Sequence, residues 1–122
     1  MEQNGLSQMM GLNRPMLSNR PRLIFAYADS AWAVRCVRLL RRNGWEAHMT
    51  SSGREALRLA HQWAPVVVIV EEELNDGGEW MHELRLHQER TGGRLIVGSS
   101  ADAHEGEQAI VEQLVQRAWA FA

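Results

Sequence analysis

The stretch Pro65–Val70 constrains this chain more than any other: Pro-Val-Val-Val-Ile-Val, running straight into Glu71, Glu72 and Glu73. Five consecutive β-branched side chains leave no polar face. That is the pattern of a strand covered on both sides, as in a parallel sheet with helices above and below it. A short apolar run also fits a buried helical segment, but the leading proline and unbroken β-branching favour the strand. In open α/β sheets ligands gather at the carboxyl ends of the strands, which singles out Glu71.

The flanking sequence repeats an alternation of strand and helix. Leu23–Ala28 is an apolar run ending at Asp29-Ser30, either of which is a good helix N-cap. Trp32, Cys36, Leu39 and Leu40 then recur at i, i+4, i+7 and i+8, Val37 widens the stripe, and Asn43-Gly44 ends the helix. Trp45–Thr50 reads as a short, more polar strand at a sheet edge, with Trp45 exposed. Ser51-Ser52-Gly53 opens a second helix with Ala56, Leu57 and Ala60 inward and Trp63 at its end, and Pro65 stops it. Asn75-Asp76-Gly77-Gly78 is a loop. Trp80, Met81, Leu84 and Leu86 or His87 predict a third helix to about Glu89, broken by Thr91-Gly92-Gly93.

Arg94–Gly98 is a fourth strand ending at Ser99-Ser100, and a fourth helix starts near Glu105 with Ala109, Ile110, Leu114 and Val115. Trp119–Ala122 is a strand stub or a helix end. The order predicts a doubly wound parallel α/β sheet of flavodoxin-like type, strand order 2-1-3-4-(5). Residues 22–122 form this domain. Residues 1–21 show no sustained period and read as a flexible tail. Its Met9, Met10, Leu12, Met16 and Leu17 are available to dock on a partner or on the domain itself.

Composition narrows the function classes. No run of about 18 apolar residues is present, so no membrane span is expected. There is no signal-peptide layout, and one cysteine, Cys36, fits a reducing cytoplasm and a small core residue. All 13 basic residues are Arg. Residues 1–65 carry nine Arg against four acids, and residues 66–122 four Arg against eleven. Arg35, Arg38, Arg41, Arg42, Arg54 and Arg58 read as the solvated faces of two helices, not as a nucleic-acid footprint. No glycine-rich phosphate loop is present. His82 and His87 are five apart, not at the i, i+4 spacing of a helical metal pair, so no metal site or cofactor is expected.

Three local motifs, in order, resemble the receiver domain of bacterial two-component response regulators. Thr50-Ser51-Ser52-Gly53-Arg54-Glu55-Ala56-Leu57 is similar to that family's second strand and helix start. Ala64–Val70 is similar to its third strand, and Leu95-Ile96-Val97-Gly98-Ser99-Ser100-Ala101 to its fourth. The resemblance implies a receiver fold over about residues 22–122. In the family it implies phosphorylation of an aspartate after strand three, with Mg²⁺ held by that aspartate and an acidic pair after strand one. A hydroxyl after strand four and a Lys after strand five complete the site. Hard oxygen ligands hold Mg²⁺, which neutralises the incoming phosphoryl charge.

On that pattern the acceptor position falls on Glu71 and the acidic pair on Tyr27 and Ala28, with Asp29 next. The hydroxyl falls on Ser100, with Ser99 beside it, and the chain has no Lys. Three readings follow: Glu71 mimics the phosphorylated state and draws Ser100 inward, Glu71 is a leftover polar strand end, or Asp29, Glu71 and Glu72 hold a cation weakly. The resemblance leaves the last helix out and part of the sheet face beside the first helix uncovered. The function implied is a non-catalytic, phosphorylation-independent pseudo-receiver that binds another protein, a homodimer being one form of that association. Its expected surface is Glu105, Glu107, Ile110, Leu114, Trp119 and Phe121. The alternatives are a phosphorylatable receiver using Asp29 or Asp76, and a small-ligand module of flavodoxin-like shape.

Overall fold

In the computed structural model, residues 20–74 and 78–119 are described, the last two as backbone. Residues 1–19, which hold nearly all of the expected tail, lie outside the described residues, as do Asp76 and Phe121. Strands β1 (Arg22–Ala26), β2 (Glu46–Thr50), β3 (Val67–Glu71) and β4 (Arg94–Gly98) alternate with helices α1 (Ser30–Arg42), α2 (Gly53–Trp63), α3 (Trp80–Thr91) and α4 (Glu107–Trp119). A short 3₁₀ helix, Ser100–His104, leads from β4 to α4. The sheet is parallel with order β2-β1-β3-β4. Every residue of β3 is buried, the four β-branched side chains Val67, Val68, Ile69 and Val70 and also Glu71. Burying one such side chain fully stabilises by about 1.5–3 kcal/mol.

Local signals set the helix ends. Asp29 is the N-cap of α1, its carboxylate accepting from the Trp32 amide at 3.1 Å, and Ser52 does the same for α2 at Glu55. Gly44 turns the chain out of α1 at φ +97°, a conformation that suits a residue without Cβ. The next residue, Trp45, folds back so that its amide donates to the Leu40 carbonyl. Its indole is buried, not exposed as the sequence suggested, because the turn directs it onto the α1 side of the core. The six Arg of α1 and α2 all lie on the solvent side.

Two apolar layers flank the sheet. On one face Ile24, Ala26, Val68 and Val70 meet Ala56, Ala60, Trp80 and Leu84 of α2 and α3. On the other, Leu23, Phe25, Val67, Ile69 and Ile96 meet α1 and, from α4, Ile110, Val111 and Leu114. This corrects the expectation of an uncovered face. The fourth helix takes the place beside α1 where the resemblance puts a fifth. The chain passes from β4 through one 3₁₀ turn to the α1 side of the sheet.

Among the described residues strand β4 is an edge of the sheet, and Arg117 of α4 donates to its Val97 carbonyl at 3.3 Å, occupying one of the groups an open edge presents. At the other end of the sheet the buried Gln88 amide donates to the Arg94 and Pro65 carbonyls at 3.0 and 3.4 Å, tying the starts of β3 and β4. Cys36 is wholly buried, and burial pushes its thiol up to about 12, so it is a packing residue and not a nucleophile.

The position of α4 makes a direct prediction. Leu114→Ala should lower stability by about 2–5 kcal/mol in urea unfolding, the cost of a cavity in a packed core. A change within about 0.5 kcal/mol, the range of an ordinary surface substitution, would remove α4 from the core.

Candidate functional site

The carboxyl ends of β1, β3 and β4 converge, and the candidate residues lie there. Tyr27 directly follows β1. Its ring shares the α1 face with Phe25, two residues earlier, because alternate residues of a strand point the same way. The two rings stack with centroids 4.8 Å apart, and Trp32 of α1 closes on Tyr27 at 5.0 Å. Tyr27 is buried, and its hydroxyl donates to Asp102 Oδ2 at 2.7 Å. The same carboxylate oxygen accepts from the Ser99 amide at 2.9 Å, as half of a capping box that starts the 3₁₀ helix. Trp32 adds a third tie, its indole N–H donating to the Glu105 carbonyl at 3.3 Å.

Gly98 makes room for this link. A Cβ on it would stand 1.9 Å from the Tyr27 hydroxyl and 2.7 Å from Asp102 Oδ2. Burial, reinforced by Asp102 and then by Glu71, drives the Tyr27 phenol far above its ordinary value of 10.0.

Glu71 ends β3 and is 5% exposed. Its Oε1 accepts from the Ala28 amide at 2.8 Å, so its carboxylate pins the loop between β1 and α1. Such hydrogen bonds to an ionised acceptor are short and comparatively strong. Ala28 offers only this backbone N–H, and Asp29 is exposed with its carboxylate engaged as the α1 cap.

The link expected between Glu71 and Ser100 is made instead by Glu73. Its Oε1 accepts from the Ser100 amide at 2.8 Å, and its Oε2 from the Ser99 hydroxyl at 3.4 Å. Ser100 is exposed. Glu72 is also exposed, and only its backbone joins in, its N–H donating to the Gly98 carbonyl at 2.7 Å. Asp29, Glu71 and Glu72 do not assemble as a cation cage: among the described residues no group of three or more His, Cys, Asp or Glu is placed to hold a metal.

The proposed interaction surface needs correction as well. Ile110 and Leu114 are buried against α1, because α4 fills that slot. Glu105 is exposed, and Glu107 lies 3.4 Å from Arg35 across the α1–α4 seam. The backbone of Trp119 closes α4, which makes that residue a helix end and not a strand stub. Sequence reasoning missed Glu73 and Asp102. The spacing Ser99-x-x-Asp102 carries a capping signal that identifies the second.

Tyr27 is the sole tyrosine of the chain, so its ionisation can be read without interference from another phenol. A folded value raised above the unfolded one means that the stabilisation is whole below pH 10 and is lost as pH rises beyond it, because the unfolded chain then releases a proton that the folded one keeps. Tyrosinate absorption should therefore stay absent in the folded protein above pH 10 and appear together with unfolding. Tyr27→Phe should abolish that signal and cost about 1–3 kcal/mol at neutral pH. A free phenol titration near pH 10 in folded protein would break the Tyr27–Asp102 assignment.

Comparison with known proteins follows the same line as the geometry. No family model matches the sequence, and no curated protein matches it. Solved structures do. The response regulator PhyR from Brucella abortus superposes with TM-score 0.64 at 17% identity, over 84% of this chain and 49% of its own, so this chain spans about half of that protein. The N-terminal domain of a response regulator/sensory box/GGDEF three-domain protein from Carboxydothermus hydrogenoformans gives 0.59 at 12%, over 82% and 94%. A CheY-like receiver domain protein from Methanospirillum hungatei gives 0.54 at 11%, over 80% and 93%. At these identities the likeness is one of architecture: the fold of this chain is that of response regulator receiver domains.

Proposed function

We propose that the chain is a pseudo-receiver: a non-catalytic domain that works by binding another protein and needs no phosphorylation. One observation carries this reading. Glu71, on which the acceptor position falls by resemblance, is buried and committed to the Ala28 amide, and the same resemblance puts Tyr27 and Ala28 at the places of two metal-binding acids. Phosphoryl transfer needs an accessible carboxylate, a cation to spread the incoming charge and an opposing positive group. The sequence has no Lys. Asp29, the acid that follows Tyr27 and Ala28 in sequence, already serves as a helix cap.

The same features suggest how such a domain is held in one state. Glu73 anchors Ser99 and Ser100, Asp102 anchors Tyr27, and Trp32 anchors Glu105. The segment from Ser99 to Glu105 is thereby fixed to β1, α1 and the β3 loop without a phosphoryl group. A carboxylate supplies one negative charge where a phosphoryl group supplies about −1.5 to −2, but it is part of the chain, so the constraint it sets does not depend on phosphorylation. The surface we assign to the partner is the exposed outer side of this segment together with the start of α4, bearing Ser100, Ala101, His104, Glu105 and Gln108. A second copy of the chain is one candidate partner. Among the described residues no helix is long and apolar enough to cross a membrane.

The test is chemical. Incubation with a small-molecule phosphodonor and Mg²⁺, followed by intact mass measurement, should leave the mass unchanged. A gain of one phosphoryl group on Asp29, Asp76 or any other carboxylate would replace this reading with that of a working receiver.

A further inference from the structure

The sheet's other face carries a pair of groups that the strand ends do not use. His61, near the end of α2, and His87, in α3, lie on adjacent helices with ring centroids 4.3 Å apart and planes inclined at 50°. His61 is exposed and His87 half-buried, so the pair opens to water. His87 Nε2 lies 3.2 Å from the Ala60 carbonyl oxygen. A carbonyl oxygen only accepts, so this nitrogen carries the proton, and the lone pair of the neutral ring resides on Nδ1. A ring whose outer N–H is anchored on a backbone carbonyl, leaving its other nitrogen free, is the arrangement that orients metal-ligating histidines.

We propose that His61 and His87 form a two-ligand site for a divalent ion of the Zn²⁺, Ni²⁺ or Cu²⁺ class, bridging α2 and α3. Imidazole nitrogen suits these ions, whereas Mg²⁺ and Ca²⁺ demand oxygen. No third His, Cys, Asp or Glu joins the pair among the described residues. Water or a partner's side chain completes the coordination sphere, which makes the site a point where a metal joins this domain to another molecule. The two residues come from different helices, so no spacing along the sequence announces them, and the pair exists only because α2 packs against α3. The site lies on the α2–α3 face and is independent of the pseudo-receiver reading.

Titration of the full chain with Zn²⁺ by calorimetry, and with Ni²⁺ by amide NMR, tests this. One ion per chain is expected, with paramagnetic broadening centred on the ends of α2 and α3. His61→Asn, at an exposed position, and His87→Asn should each weaken binding at least about tenfold, the scale on which disturbing metal-site residues acts. His48→Asn and His104→Asn should leave it unchanged, and Mg²⁺ should not compete. Unchanged affinity in His61→Asn, broadening centred on another histidine, or no uptake of Zn²⁺ at millimolar concentration would overturn the proposal.

Discussion

The hydrogen bond from the Tyr27 hydroxyl to Asp102 joins the first strand to the segment that follows the last one. Much of the upper end of the molecule depends on it. The phenol is held by Phe25 and Trp32 on its faces and reaches Asp102 only because Gly98 has no side chain. Asp102 in turn starts the 3₁₀ helix by accepting from Ser99. That helix sets the direction in which the chain leaves β4, and so decides that α4 packs beside α1. A buried phenol without a partner would cost several times what the bond itself contributes, so the ring and the acid constrain one another.

A receiver gathers carboxylates around a cation, and without the cation those charges repel and must stay solvated. At the strand ends of this chain stand a phenol and a methyl group, and Glu71 reaches a backbone amide. Tyr27 and Glu71 are buried there, whereas Ala28, Asp29 and Glu72 stay exposed.

Much of the architecture was legible from the chain. The β-branched run of β3 and the Asn43-Gly44 and Gly92-Gly93 breaks define the alternating elements, and short connections restrict them to one winding. The placement of α4 was not legible. An apolar stripe says that a helix is covered on one side, but not which face of a two-sided sheet covers it. Ile110 and Leu114 fit the stripe of a core helix equally well, and the burial of both follows from it. Trp45 was misjudged because a strand's outer residue was expected to be exposed, whereas the turn at Gly44 folds it back. Gln88 continues the inward spacing of Trp80 and Leu84, and its polarity concealed a position whose amide joins two strands. At the site, three consecutive glutamates offered no means of telling which one faces the loop after β4. Only the pairing of β3 with β4 assigns that role to Glu73.

Among the described residues the outer edge of β4 pairs with no further strand. A five-stranded receiver covers that edge with another strand. Here the helix takes over both duties: its apolar stripe covers Phe25, Ile69 and Ile96, and Arg117 near its end turns to the Val97 carbonyl. A guanidinium suits this task because it donates from several nitrogens and brings a charge that discourages a foreign strand from pairing there. Leu95 and Val97 remain only partly buried on the α3 side. That side therefore keeps a shallow hollow of about 440 Å³ between Leu74, Trp80, Met81, Arg85 and Val97. Apolar side chains line it together with Glu72 and Arg85, charges of opposite sign, and charge at an exposed edge works against indiscriminate strand pairing.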